Sequence, residues 1–356
     1  MSRFFLLAGD FGINPQKMPI LWEKTIGEGG FVTDSAKKWA WIGAGTAAAT
    51  ALAGVSLTLS CRYLVQMAMD RQTPKRGRRE LEKVSGEPEN RAVMAMAQAL
   101  GERLASSGCQ RIVLKSHDGL RLVGHWRPCP EPKRVIVAMH GWRSNWARDF
   151  GMIADFWYRN GCSVLYAEQR GQGESDGEYI GFGMLERRDC LQWSRWAAEQ
   201  EPELPLYLAG VSMGAATVLM AGGMELPPQT RGIMADCGFT SPHAIWRHVA
   251  RNNLHLHYDL YATAAGDLCR KKIRMSPEDY STLDAMAECE VPVLFIHGTE
   301  DAFVPISMTY ENYKACTAPK RLLVVPGAGH GLSYCTERER YEKTMLEFFR
   351  DFDQKA

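Results

Sequence analysis

The sequence predicts an α/β protein built on a mostly parallel, eight-stranded sheet with helices on both faces. Three observations carry that expectation. From residue 110 onward, short apolar runs alternate with longer helix-like stretches, the strand–helix order of a parallel sheet. The runs are apolar along their whole length, as strands covered on both faces must be. Residues able to do chemistry gather just past each run, where ligands sit in such sheets.

The 356 residues are 46% hydrophobic and 23% charged, with a formal net charge of +1. Such a chain can bury a large core, and its charge gives no reason to expect a nucleic acid partner. Charge and hydropathy are informative locally. Residues 1–38 carry no readable role. "KKWAWIGAGTAAATALAGVSLTLSCR" is uncharged from Trp39 to Cys61, and about 20 apolar residues suffice to cross a bilayer as a helix. Trp39 and Trp41 suit an interfacial belt, and Gly45, Ala49 and Ala53 recur every fourth position, which favours close helix packing. One membrane-spanning anchor over 39–65 is expected, attaching the protein to a lipid bilayer by a single pass. The stretch is rich in Ala, Gly, Thr and Ser rather than Leu, so a buried helix of a soluble protein is the other reading. A cleavable signal peptide does not fit, because nearly forty residues precede the segment.

Arg62, Arg71, Lys75, Arg76, Arg78 and Arg79 follow the segment, against Lys24, Lys37 and Lys38 before it, which favours a C-terminal portion on the cytoplasmic side. Ten scattered cysteines without a C-x-x-C pair lean the same way, towards reduced thiols. Residues 66–109 read as a basic linker and helical lead-in. The basic run "KRGRR" can touch anionic headgroups or simply be solvated.

The strand–helix alternation lies in 110–356. "RIVLKS" and "LRLVGHW" flank His117-Asp118-Gly119, a hairpin signal between the first two strands. "RVIVAMHG" and "SVLYAEQRG" are the third and fourth strands, "LYLAGVS" the fifth, "GIMADCGF" the sixth, "VPVLFIHG" the seventh and "RLLVVPGAG" the eighth. "ERERYEKTMLEFFRDF" closes the chain as an amphipathic helix. His140 follows the third strand, Ser212 the fifth, Asp236 the sixth, Asp301 the seventh and His330 the eighth.

Two serines fit G-x-S-x-G. Ser212 follows an apolar strand and precedes the Ala-rich helix opening "MGAATVLMAGG", so Gly210 and Gly214 allow a sharp strand-to-helix turn with the serine oxygen standing clear. Ser175 lies in "RGQGESDGEYIGFG", with no helix after it and with Glu174 and Asp176 placed to oppose an oxyanion; it is a loop residue. A serine nucleophile needs a base held by a third group. His330, in the Gly-flanked turn "GAGHG", is the candidate base and Asp301 the candidate orienting acid, with Glu300 and Asp236 as rivals for that role. The chain order Ser, Asp, His matches the nucleophile-elbow arrangement. Two backbone amides should complete the site, Met213 after the nucleophile and Trp142 in "HGWRSNW". Trp142 and Trp146 either wall the pocket or fill the core. His297 reads as a structural turn residue, and His255-x-His257 lacks a complementary ligand set for a metal.

These residues together resemble the serine hydrolases of the α/β-hydrolase superfamily, in the branch of serine aminopeptidase-like and monoacylglycerol lipase-like enzymes that includes membrane-anchored bacterial members. "HGW", "EQRGQGESDG", "GVSMG", "HGTEDAFVP" and "GAGHG" carry the likeness, over about residues 110–352. It implies the α/β-hydrolase fold, a triad of Ser212, Asp301 and His330, and a small cap inserted at about 241–290. The expected function is cleavage of a carboxylic ester through an acyl-enzyme, with no metal or organic cofactor and a small-molecule ester or short peptide as substrate. A peptidase or amidase using the same triad remains open, as does a non-catalytic binding protein on the same fold.

Overall fold

The computed structural model describes residues 34–73 and 91–354. Residues 1–33 of the N-terminal segment and residues 74–90 of the expected linker therefore lie outside the described residues. The chain divides into two compact units, residues 1–55 and 56–356. In the first, the described residues begin helix α1 (Asp34–Met69), on which Trp39, Trp41, Leu52 and Val55 are exposed.

The membrane-spanning anchor expected over 39–65 is not supported. A helix does run through this stretch, but among the described residues no helix is long and apolar enough to cross a membrane. The physical reason is composition: Ala, Gly, Thr and Ser add length while contributing little transfer free energy. The last two turns of α1 also have another use. Cys61, Val65 and Met69, spaced four apart on one helix face, are buried inside the second unit. Residues 66–69, expected in the linker, are still helical.

The second unit is organised by one eight-stranded sheet in the order β1-β2-β4-β3-β5-β6-β7-β8. Strands β1 (Gln110–Lys115) and β2 (Arg121–Arg127) form the expected hairpin, and β2 runs antiparallel to β4 (Cys162–Ala167). The rest is parallel: β3 (Arg134–Met139), β5 (Leu206–Val211), β6 (Thr230–Asp236), β7 (Val293–Gly298) and β8 (Lys320–Val325). Burial explains why β3 is apolar from Val135 to Met139. Ile136 and Ala138 enter one core cluster, and Val135, Val137 and Met139 enter the other.

On the first face, helices α3 (Trp146–Phe150) and α4 (Ala154–Arg159) bring in Phe150 and Trp157. On the second, α5 (Glu186–Gln200) contributes Trp193, and α6 (Met213–Ala221) contributes Val218. The described helix α2 (Arg91–Ala105) is consecutive with these in the chain and packs on α3. Burying each such large side chain stabilises the fold by about 1.5–3 kcal/mol.

The insertion after β6 forms α7 (Pro242–His248), a π-helical turn over Val249–Asn253, and α8 (Ala262–Ile273). Helix α9 (Thr282–Glu288), counted within the expected cap, packs Ala285 and Met286 into the second core cluster. The part free of the sheet is thus shorter than 241–290. Helix α10 (Ile306–Ala315) follows β7, and α11 (Ser333–Thr336) and α12 (Arg338–Phe352) follow β8. The closing helix is amphipathic as its spacing predicts, burying Tyr341, Met345, Phe348 and Phe349 on the first face.

Candidate active site

The turn between β5 and α6 places Ser212 at φ 56°, ψ −117°, a left-handed conformation that costs a residue with a Cβ about 1–3 kcal/mol. Packing forces it. A Cβ on Gly214 would stand 1.8 Å from the Met139 carbonyl oxygen, and one on Gly210 would stand 2.2 Å from the Gly214 carbonyl oxygen. Only glycine at both positions lets helix and strands approach this closely. The turn is pinned by the Ser212 N–H, which donates to the Asp236 carbonyl at 2.9 Å.

His330 stands between Ser212 and Asp301. Its Nε2 is 2.8 Å from Ser212 Oγ, and its Nδ1 is 2.7 Å from Asp301 Oδ2. With a carboxylate facing Nδ1, the proton belongs there, so Nε2 is the acceptor for the serine hydroxyl. Asp301 Oδ1 accepts from the Phe303 and Val304 amides at 3.0 and 2.8 Å. Its carboxylate is wholly buried, while the His330 side chain keeps 27% exposure. Burial alone would raise the Asp301 pKa, but the adjoining His330 and His297 outweigh it and hold the carboxyl well below its usual range. His330 moves the other way. Burial disfavours its charged form, yet Cys237 and Asp301 beside it raise its pKa well above the ordinary imidazole value. Burial pushes the Cys237 thiol up to about 11, so near neutral pH it is uncharged and Asp301 is the effective anion.

The rivals for the acid position separate cleanly. Glu300 is exposed. Asp236 is buried but accepts from Ser333 Oγ at 2.9 Å, holding α11 rather than the imidazole. His297, read from sequence as a turn residue, is instead inside β7 and fully buried. Its Nε2 lies 3.1 Å from Asp301 Oδ2 and 2.9 Å from the Val304 carbonyl, and its Nδ1 lies 2.6 Å from Thr309 Oγ1. The i, i+4 spacing of His297 and Asp301 in "HGTED" was the available signal.

The loop after β3 is held from several sides. His140 is buried: its Nε2 accepts from the Gln169 amide at 3.1 Å, leaving Nδ1–H for the Gly141 carbonyl at 2.8 Å. Gly141 N–H donates to Asp149 Oδ2 at 2.7 Å, and Arg143 N–H to Gln172 Oε1 at 2.6 Å. The Trp142 and Met213 amides have no hydrogen-bond partner among the described residues. The two tryptophans divide. Trp146 lies in the core, stacked on His125 at 4.1 Å, whereas half-buried Trp142 faces Phe182 in a third apolar cluster with Met213, Phe239 and Phe303. Ser175 is fully buried; its Oγ donates to the Glu168 carbonyl at 2.7 Å and accepts from the Val123 amide at 2.9 Å, bracing β2 to the segment just after β4. Sequence reasoning missed Arg143 and Gln172 because nothing local marks their partners.

For a metal, Cys237, Asp301 and His330 offer one donor atom each within 4.8 Å of one another. Asp301 and His330 are already committed to each other, and the protonated thiol is a poor ligand until deprotonated.

Sheet order, strained serine turn and Ser–His–Asp contacts define this chain as an α/β-hydrolase fold. The esterase Pf2001 of Pyrococcus furiosus shares it, with a TM-score of 0.59 at 19% identity over 71% of this chain and 94% of the esterase. The family described as serine aminopeptidase S33 matches residues 130–274, a span that holds Ser212 and Trp142 but ends before Asp301 and His330. The uncharacterized protein YqkD of Bacillus subtilis (strain 168) is 27% identical over 242 residues, covering 66% of this chain and 77% of YqkD. The monoglyceride lipase of Rattus norvegicus is 30% identical over 112 residues, covering 31% of this chain and 36% of the lipase. These likenesses support a hydrolase of the serine type.

Proposed function

We propose that this protein is a serine hydrolase that cleaves a carboxylic ester carrying an apolar acyl group. The observation that carries the reading is the pair of His330 contacts, 2.8 Å to Ser212 Oγ and 2.7 Å to Asp301 Oδ2. In the first half-reaction His330 Nε2 takes the Ser212 proton as Oγ attacks the substrate carbonyl carbon. Negative charge moves to the carbonyl oxygen, where the Met213 and Trp142 amides receive it. The tetrahedral intermediate collapses by breaking the bond to the alcohol, which leaves with the proton from His330. Water then repeats the sequence on the acyl-enzyme, with His330 as base and then acid, and frees the carboxylic acid and Ser212. Asp301 keeps the imidazole in the accepting tautomer and stabilises the imidazolium between steps.

The apolar acyl group is supported by the cluster beside the nucleophile, in which Trp142, Phe182, Met213, Phe239 and Phe303 meet. The match to a serine aminopeptidase family favours a second reading, an amide or peptide substrate on the same machinery. Labelling with a fluorophosphonate probe tests the nucleophile. The adduct is expected on Ser212, and Ser212→Ala is expected to abolish it and to lower kcat by on the order of 10⁶. Near-normal turnover by that variant would refute the assignment. Comparing p-nitrophenyl esters with peptide p-nitroanilides decides between the two substrate classes.

A further inference from the structure

The loop after β3 is tied to a helix that precedes the hydrolase sheet by forty residues. Helix α1 ends at Met69 with no basic residue in its own last turn. Its final carbonyls lack intrahelical partners and form the negative end of the helix dipole, so their donors must come from elsewhere. The Ile180 amide serves the Met69 carbonyl at 2.7 Å, and Arg143 serves the Met67 carbonyl and that of Asp70 just beyond the helix. Its Nη2 donates to the Asp70 carbonyl at 2.6 Å and to the Met67 carbonyl at 2.9 Å, and Nε reaches the Met67 carbonyl at 3.2 Å. Trp142 adds its indole N–H to the Ala68 carbonyl at 2.8 Å, and the guanidinium sits 5.2 Å from the Trp142 ring centroid. Asp70 in turn accepts from Lys272 Nζ of α8 at 2.6 Å. One short turn thus joins α1, the loop after β3 and the cap.

Arg143 itself is held at φ 51°, strained for a side chain with a Cβ. Such a conformation persists where its surroundings over-determine it. Here the Gln172 side chain grips its amide while the Met67, Asp70 and Arg71 carbonyls grip its guanidinium and the Ala68 carbonyl the neighbouring indole. Burial lowers the guanidinium pKa to about 10 against the upward pull of Asp70, which leaves it cationic throughout the neutral range.

We propose that Arg143 is a positioning residue, whose grip on the C-terminal carbonyls of α1 holds the Trp142 amide where the oxyanion develops. The end of α1 is then a working part of the site, although it lies outside the sheet and its loops. This rests on the hydrolase reading above.

The test uses the full chain with Arg143→Ala and Arg143→Lys, reading kcat, KM, melting temperature and the fraction of fluorophosphonate-reactive sites. Misplacing one oxyanion donor should approach the effect of losing it, so Arg143→Ala is expected to lower kcat per reactive site by about 30- to 100-fold, with KM changed less than about threefold. Guanidinium chloride at millimolar concentration should restore about tenfold of that loss in the Ala variant and leave the wild type unchanged, because the ion can refill the vacated carbonyl site. Arg143→Lys, which keeps the charge without the planar fork, should fall between the two. If the Ala variant does not fold, the Lys variant decides: full wild-type kcat in folded Arg143→Lys overturns the proposal. So does a drop in melting temperature with kcat per reactive site unchanged. A wild type that neither labels nor turns over any ester overturns the hydrolase reading and this inference with it; an active wild type beside an equally active Ala variant overturns this inference alone.

Discussion

Asp301→Asn probes the candidate site most sharply, because the structure dictates how an isosteric amide must orient. Asp301 Oδ1 accepts from two backbone amides, Phe303 and Val304, at 3.0 and 2.8 Å. An asparagine has one acceptor oxygen, and it will face those two donors. Its NH2 group then points at His330 Nδ1 and at His297 Nε2, which the Val304 carbonyl at 2.9 Å already holds as a donor. Nδ1 must become the acceptor, so the His330 proton moves to Nε2 and is aimed at Ser212 Oγ. The hydroxyl loses its base. Setting a triad histidine in the wrong tautomer costs about 10⁴ in kcat, equivalent to about 5.5 kcal/mol of transition-state stabilisation. The pH profile carries a second, signed expectation. On the proposed mechanism turnover needs neutral His330, whose pKa Cys237 and Asp301 raise well above the ordinary imidazole value, so wild-type kcat/KM should fall on acidification with a midpoint above 6.5. Removing the carboxylate removes the charge that raises the imidazole, so the residual activity of Asp301→Asn should have its acid limb at lower pH. Steady-state kinetics on a p-nitrophenyl ester from pH 5 to about 9, normalised to active sites, reads both quantities. A kcat within tenfold of wild type, or an acid limb moved to higher pH, would refute the tautomer argument.

Two structural variants separate fold from chemistry. Ser175→Ala leaves the buried Val123 amide and Glu168 carbonyl without their partner, so it should destabilise the protein by about 1–3 kcal/mol in urea unfolding. Turnover per labelled site should stay within about threefold, and a lost fluorophosphonate adduct there would reopen the choice between the two serines. Gly214→Ala puts a methyl group 1.8 Å from the Met139 carbonyl oxygen, where only backbone movement can make room. It should destabilise by about 3 kcal/mol or more and lose labelling; an unchanged melting temperature would show that the strand–helix approach is looser than described.

Much of the fold was legible because it is local. Apolar runs such as Val135–Met139 need no knowledge of their neighbours to be read as strands buried on both faces, and the amphipathic spacing of Arg338–Phe352 declares a single buried stripe. The strand–serine–alanine-rich helix context separated Ser212 from Ser175 for the same reason, since the requirement for glycine at 210 and 214 is written into the backbone. The expected membrane anchor shows where such reading fails. An uncharged stretch has length without regard to what it packs on, and the end of this one turns Cys61, Val65 and Met69 into the protein.

The tertiary structure alone decided partnership. Ser212 meets His330 across 118 residues and His330 meets Asp301 across 29, and only the packed sheet ends show that Glu300 points outward while Asp236 serves Ser333. His297 became a support for Asp301, and Arg143 a cap for a helix more than seventy residues away. A sequence determines by itself what its backbone must do within a few residues, because sterics and hydrophobic period act at that range. Which side chains then share a hydrogen bond depends on distances of a few tenths of an ångström between elements, and those exist only once the core has closed.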